Sequence, residues 1–198
     1  MAARKALSLT YVVYEEGNTL SKLLAVATLT PIFAGVALLA AFAVSRRLAW
    51  ASALAGAVLV DACCRLLKGL IQQPRPPGSY REGPGMPSEH AAYCAFLALH
   101  LCLWVGARVR CALALKAALC LALAAWAAVV AFSRHHLGVH TPAQLAVGAA
   151  IGAAAAVVWF AAESRCQGLL ERLQRRVDAI WAWLDIQCDG YGAGRKSA

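Results

Sequence analysis

Long apolar runs separated by short polar segments dominate the chain. Residues 23–44, LLAVATLTPIFAGVALLAAFAV, have the length of roughly 20 residues that a helix needs to cross a hydrocarbon core. Further runs extend from Leu48 to about Ile71, Ala91 to Ala107, about Leu113 to Phe132, and Leu145 to Ala162, so the pattern predicts five transmembrane helices. The third run is short and carries His100, read as a hydrogen-bonded packing residue, while Lys116 can snorkel from the start of the fourth. Ahead of the first run, Arg4 and Lys5 are soon followed by Glu15 and Glu16, which does not fit a cleaved signal peptide. Beyond the fifth run, Leu169, Leu170, Leu173, Val177, Ile180, Trp181 and Leu184 recur at helical spacing. With Arg172, Arg175, Arg176 and two tryptophans they predict an amphipathic helix lying on the bilayer, or alternatively packing on a partner subunit. The closing GYGAGRKSA reads as a flexible tail. The expected architecture is all-α, a polytopic membrane helix bundle over 1–162 followed by a cytoplasmic amphipathic helix and tail over 163–198.

Composition sharpens this picture. The chain is 61% hydrophobic and 15% charged, against roughly 45–50% and about 25% in soluble domains, which excludes an ordinary soluble fold. A formal charge of +9 on a soluble chain would point to nucleic acid. Here much of it flanks the spans, and no nucleic-acid partner is expected. Five crossings put eleven of the 19 Lys and Arg on the side of the 45–47 and 106–116 loops and the C-terminus. The positive-inside rule makes that side cytoplasmic, so the 72–90 and 133–144 loops face the lumen or exterior together. The eight cysteines have no CxxC pairing and several lie in apolar runs, so they read as small packing residues and not as a disulfide framework.

Chemistry concentrates on that outward face. Asp61, Arg65 and Lys68 share one helix face of the second run, which should point to the protein interior; Asp61 either neutralises Arg65 or belongs to a functional site. Lys68 opens KGLIQQPRP, where a helix end and a proline-stiffened turn can bring Lys68 and Arg75 to one anion. In GMPSEH, Ser88 is a plausible N-cap with His90 in the first helical turn, and a helix N-terminus itself attracts anions. SRHHLGVHTPAQ adds Ser133, Arg134, His135, His136 and His140.

This ordered set resembles the type 2 phosphatidic acid phosphatase (PAP2) superfamily, with its Lys-six residues-Arg-Pro, Pro-Ser-x-His and Ser-Arg-five residues-His motifs. A nearer resemblance is to its dolichyl diphosphatase branch. HTPAQ places Gln144 where most relatives have an acid, and LSLTYVVYEEGNTLSKLLAVATLTPIF, Gly-Met before Pro-Ser, and VGAAIG are similar too. The resemblance implies a PAP2/acid-phosphatase-like core in the endoplasmic reticulum membrane with its site facing the lumen. It implies hydrolysis of dolichyl diphosphate to dolichyl phosphate and phosphate, supporting protein N-glycosylation. His140 matches the nucleophile that becomes phosphohistidine, and His90 the acid that protonates the departing phosphate. Lys68, Arg75, Ser88 and Arg134 match the phosphate cradle. The chain has no evident carboxylate cluster for magnesium, so no metal or other cofactor is expected. The partners expected are a polyprenyl diphosphate lipid and the bilayer, with the oligomeric state left open.

Two positions have two readings each. Gln144 can orient His140, or close a capping box with Thr141 at a helix start. Glu89, where the family has a small residue, can point away toward the helix dipole or repel phosphate and disable the site. His135 and His136 have no fixed role in the family and are read as solvated. The alternative functions are an undecaprenyl diphosphate or phosphatidate phosphatase, or a catalytically silent lipid-diphosphate-binding protein; a transporter lacks the paired repeats that fold requires.

Overall fold

The structure is a computed structural model and describes residues 4–7 and 12–192. A hairpin of β1 (Arg4–Leu7) and β2 (Val12–Glu15) precedes seven helices, α1 (Thr19–Ala27), α2 (Thr30–Ser45), α3 (Leu48–Ile71), α4 (Glu89–Arg108), α5 (Leu113–His136), α6 (Pro142–Arg165) and α7 (Gln167–Gly192). The all-α expectation therefore holds for the bundle, with a two-stranded antiparallel sheet added at the N-terminus. The hairpin folds because it has something to bury: Val12 is enclosed with Ala25 of α1 and Leu29, and Tyr14 and Leu137 pack around them.

The first apolar run is continuous in sequence but broken in space. Pro31 cannot donate to the carbonyl of Ala27, and the hydroxyl of Thr30 takes that acceptor instead at 2.7 Å. The chain consequently leaves α1, re-enters the helical form at α2, and carries proline in its first turn. Taken together Thr19–Ser45, and also α4, α5 and α6, are long and apolar enough to cross a membrane, four segments among the described residues. The fifth expected span, α3, is 24 residues long but carries Asp61, Arg65 and Lys68 and is not among the four.

Helix α4 is the centre of the bundle and packs on α3, α5 and α6. Its Ala92, Phe96 and Leu97 meet Ala57, Val60 and Cys64 of α3 and Ala156 of α6 in the main core. The crossing with α6 depends on VGAAIG. A Cβ on Gly148 would lie 2.4 Å from the carbonyl oxygen of Ser88, and one on Gly152 would lie closer still to that of Ala92. Two glycines four residues apart thus let the backbones touch, as small residues do where membrane helices pack closely. His100 is buried in α4, stacked on Phe96 and edge-on to Phe160. It lies 3.8 Å from Glu163, and its Nδ1 makes no hydrogen bond among the described residues, so packing and not hydrogen bonding holds it.

The amphipathic helix is present as α7 and runs to Gly192, so the first residues of the expected tail are helical and 193–198 lie outside the described residues. It is docked on the bundle. Gln174 donates to the carbonyl of Arg46 and accepts from the N–H of Leu48, both at 2.8 Å, clasping the α2–α3 turn. Arg46 lies over the Trp181 ring. Leu169, Leu173 and Ile180 remain exposed along another side of the helix. The seven cysteines from Cys63 to Cys166 are all free thiols.

Candidate active site

The alternation of helix directions brings the end of α3, the start of α4, the end of α5 and the start of α6 to one end of the bundle, so three distant sequence strings converge. Lys68 lies in the last turn of α3, which closes with Gln72 in the left-handed region. Arg75 follows in the connecting loop. Ser88 caps α4, its Oγ accepting from the N–H of Ala91, and is fully buried; its own N–H donates to the carbonyl of Gln144. Arg134 ends α5, and its carbonyl accepts from the N–H groups of Val139 and His140, which folds the α5–α6 loop back on the helix end.

His140 is at the centre and only 2% exposed. Its Nδ1 is 3.2 Å from Oε1 of Gln144, and its Nε2 is 3.3 Å from Nη1 of Arg75. Both partners select one tautomer. A carbonyl oxygen can only accept, so Nδ1 carries the proton; a guanidinium can only donate, so Nε2 offers its lone pair. Burial foremost, then the charges of Arg134 and Arg75, push the imidazole down to about 3, which keeps it neutral at neutral pH. A neutral imidazole held from behind, with its free lone pair turned toward a cation, has the protonation state that nucleophilic attack requires.

Gln144 makes the contacts of both readings. Oε1 accepts from His140 Nδ1 and from the backbone N–H of Thr141, while Thr141 Oγ1 accepts from the N–H of Gln144, completing the capping box. The amide nitrogen donates to Oε1 of Gln73 at 3.1 Å and to the carbonyl of Pro74 at 2.8 Å. A carboxylate could make neither of those two bonds, so glutamine ties the Arg75 loop to the start of α6, beside His140. Gly85 makes room, since a Cβ there would collide with the Gln144 amide.

Arg75 Nη1 also donates to the carbonyl of Val139 at 3.1 Å, but other guanidinium nitrogens here have no protein partner: among the described residues, Arg75 Nε and Arg134 Nε and Nη1 are buried and make no hydrogen bond. Arg134 is 2% exposed and interacts with Tyr80, which the sequence reading missed. Buried cationic donors left open toward one point are suited to an anion of several oxygens. His90 stands in the first turn of α4, within electrostatic reach of His140, Arg134 and Lys68.

Two expectations are corrected. Glu89 does not point away: its carboxylate is 3.0 Å from Lys68 Nζ, inside the site. The Asp61, Arg65 and Lys68 face is not uniformly interior. Asp61 pairs with Arg65 at 2.6 Å, but the Arg65 side chain is 69% exposed, against 12% for Lys68. Two further residues of the third string have partners that the sequence did not indicate. His135 is exposed, as read, with its ring 3.4 Å from the carbonyl of His140, and Ser133 bonds Thr28 at 2.8 Å, pinning the end of α5 to the cap of α1.

A groove of about 600 Å³ leads away from this cluster between α2, α3 and α4. Ile32, Val36, Leu39 and Val58 line its length, and His90, Glu89 and Arg81 its polar end. The site is thus a set of cationic side chains around a neutral, buried histidine, at one end of a membrane bundle beside an apolar groove.

Residues 48–167 match the PAP2 superfamily, and the chain belongs to it; it is a membrane lipid phosphatase. Among curated relatives it is 31% identical over 170 residues to Dolichyldiphosphatase 1 of Homo sapiens, covering 80% of this chain and 71% of the relative. It is 29% identical over 160 residues to Dolichyldiphosphatase of Saccharomyces cerevisiae, covering 76% and 67%. The fold matches a transmembrane PAP2-type phosphatidylglycerolphosphate phosphatase from Bacillus subtilis with a TM-score of 0.62 at 16% identity, over 74% of this chain and 77% of that one.

Proposed function

We propose that the protein hydrolyses dolichyl diphosphate to dolichyl phosphate and inorganic phosphate through a phosphohistidine. The observation that carries this reading is the two-sided hold on His140, which leaves Nε2 unprotonated against Arg75. Nε2 attacks the terminal phosphorus, the N–P bond forms as the bridging P–O bond breaks, and His90 gives its proton to the departing lipid phosphate. Lys68, Arg75, Ser88 and Arg134 stabilise the charge spread over the equatorial oxygens. Water then attacks the phosphohistidine, the N–P bond breaks, and the water proton passes to His90. The name of the human and yeast relatives supports the substrate, and the apolar groove suits a chain that stays in the bilayer while its head reaches the cations. In this reading α3 is a fifth crossing, residues 1–162 form the catalytic domain, and the catalytic end faces the lumen of the endoplasmic reticulum, where the product would return to N-glycosylation.

The Lys68–Glu89 pair favours a second reading, a silent lipid-diphosphate binder, because a carboxylate occupies a cation of the cradle. One experiment separates the two: phosphate release from dolichyl diphosphate by purified protein in detergent with EDTA, with His140→Ala alongside. Release by the wild type, reduced at least a thousandfold in His140→Ala, is the expected result. A folded wild type that binds the lipid without releasing phosphate would overturn it, and Glu89→Gly would then test whether the carboxylate silences the site.

A further inference from the structure

We infer that Arg81 forms a second phosphate subsite, one that reads the lipid-bearing phosphate of a diphosphate and so sets the preference for diphosphates over phosphomonoesters. The inference rests on the proposed lipid-diphosphate reading and adds a residue outside the three motifs. Arg81 sits in the loop between α3 and α4 and lines two spaces at once. One is the apolar groove, where it stands with His90. The other is the polar depression that also holds Arg75. It is therefore the cation at the junction between the cradle and the channel.

Charge pairing distinguishes it from its neighbours. Around the polar end of the groove, Arg65 is held by Asp61 and Lys68 by Glu89. No ion pair or side-chain hydrogen bond engages the Arg81 guanidinium among the described residues; only its backbone N–H is used, by Ser79 Oγ. Its charge is nevertheless felt in the site: burial, and after it the proximity of Arg81, lowers the Arg75 guanidinium from its usual value. Arg81 is exposed beside Arg75 and has no carboxylate of its own, so its guanidinium is open to an anion that enters between the two.

The reaction places an anion there. When His140 takes the terminal phosphate, the bridging oxygen must face His90 on the opposite side of phosphorus, in line with the attack. His90 borders the groove, so the phosphate attached to that oxygen lies at the groove's polar end, beside Arg81, with the lipid chain running on toward Ile32 and Val36. In a phosphomonoester lipid the same place is taken by an uncharged glycerol ester, which offers a guanidinium only neutral, weaker acceptors. Arg81 thus favours substrates with a second phosphate.

The test uses the full chain in detergent, with wild type, Arg81→Gln and Arg81→Lys compared on dolichyl diphosphate and phosphatidate. The ratio of kcat/KM for the diphosphate to that for phosphatidate should fall at least tenfold in Arg81→Gln and be partly restored in Arg81→Lys. A wild type that prefers the diphosphate and an Arg81→Gln that keeps that preference would overturn the assignment while leaving the proposed function standing. A wild type without diphosphate turnover would sink the proposed function itself. Calorimetry with inorganic diphosphate and inorganic phosphate then decides on Arg81 separately: the wild type should bind diphosphate more tightly and Arg81→Gln should bind the two alike, and equal affinities in the wild type would refute the subsite.

Discussion

At the scale of single residues, Gln144 carries the most constrained chemistry. Its amide accepts at one end and donates at the other, so Gln144→Glu tests both ends together. A carboxylate beside His140 Nδ1 favours the imidazolium and should raise that pKa from about 3 by roughly 1–3 units. The acid limb of kcat/KM set by the nucleophile should move to higher pH, while the oxygens of Gln73 and Pro74 lose their donors at a cost of about 0.5–1.5 kcal/mol each. A pH–rate profile with thermal unfolding in detergent checks both, and an unmoved acid limb with unchanged Tm would refute the account. The wild type has a pH signature of its own. An imidazole buried neutral resists protonation, whereas the unfolded chain's histidine takes a proton near 6.5. The stability gained from neutral His140 is therefore complete above about pH 6.5 and declines as pH falls toward its folded value of about 3.

At the scale of elements, the α4–α6 contact decides whether the site assembles, because Ser88 and His90 start one helix and Gln144 the other. Gly152→Ala puts a methyl group into the backbone of Ala92. It should destabilise by about 1–3 kcal/mol and lower activity by separating the two helix ends, visible as a reduced Tm in detergent together with reduced turnover. A Tm within a degree of wild type would mean that the helices can part at no cost. The helices themselves were legible in the sequence because apolar length is a strong signal, and the site was legible because the three motifs have fixed spacings. What was not legible was one local break and otherwise depended on tertiary neighbours. The α1–α2 break turns on one proline inside an apolar run, and the hairpin gains its stability from Leu29 and Leu137, far from it in sequence or register. The direction of Glu89 was decided by Lys68, twenty-one residues earlier and on another helix. Local spacing contains neither fact.

At the scale of the whole molecule, the two ends of the bundle differ in chemistry, and the proposed orientation predicts which end each compartment touches. Cys111, between α4 and α5, and Cys166, between α6 and α7, lie at the end opposite the site. In sealed microsomes a membrane-impermeant maleimide added outside should label them, while a cysteine introduced as Ser79→Cys near the site should react only after permeabilisation. The reverse pattern would invert the topology.

The groove between α2, α3 and α4 opens along its length at exposed Ile32, Val36 and Val58, so a ligand reaches it from the side. An enzyme entered in this way counts its substrate per unit of film and not per unit of volume. Its rate follows the mole fraction of substrate among the surrounding amphiphiles, so inert detergent added at constant bulk molarity slows turnover. Saturation is then a property of a two-dimensional solution.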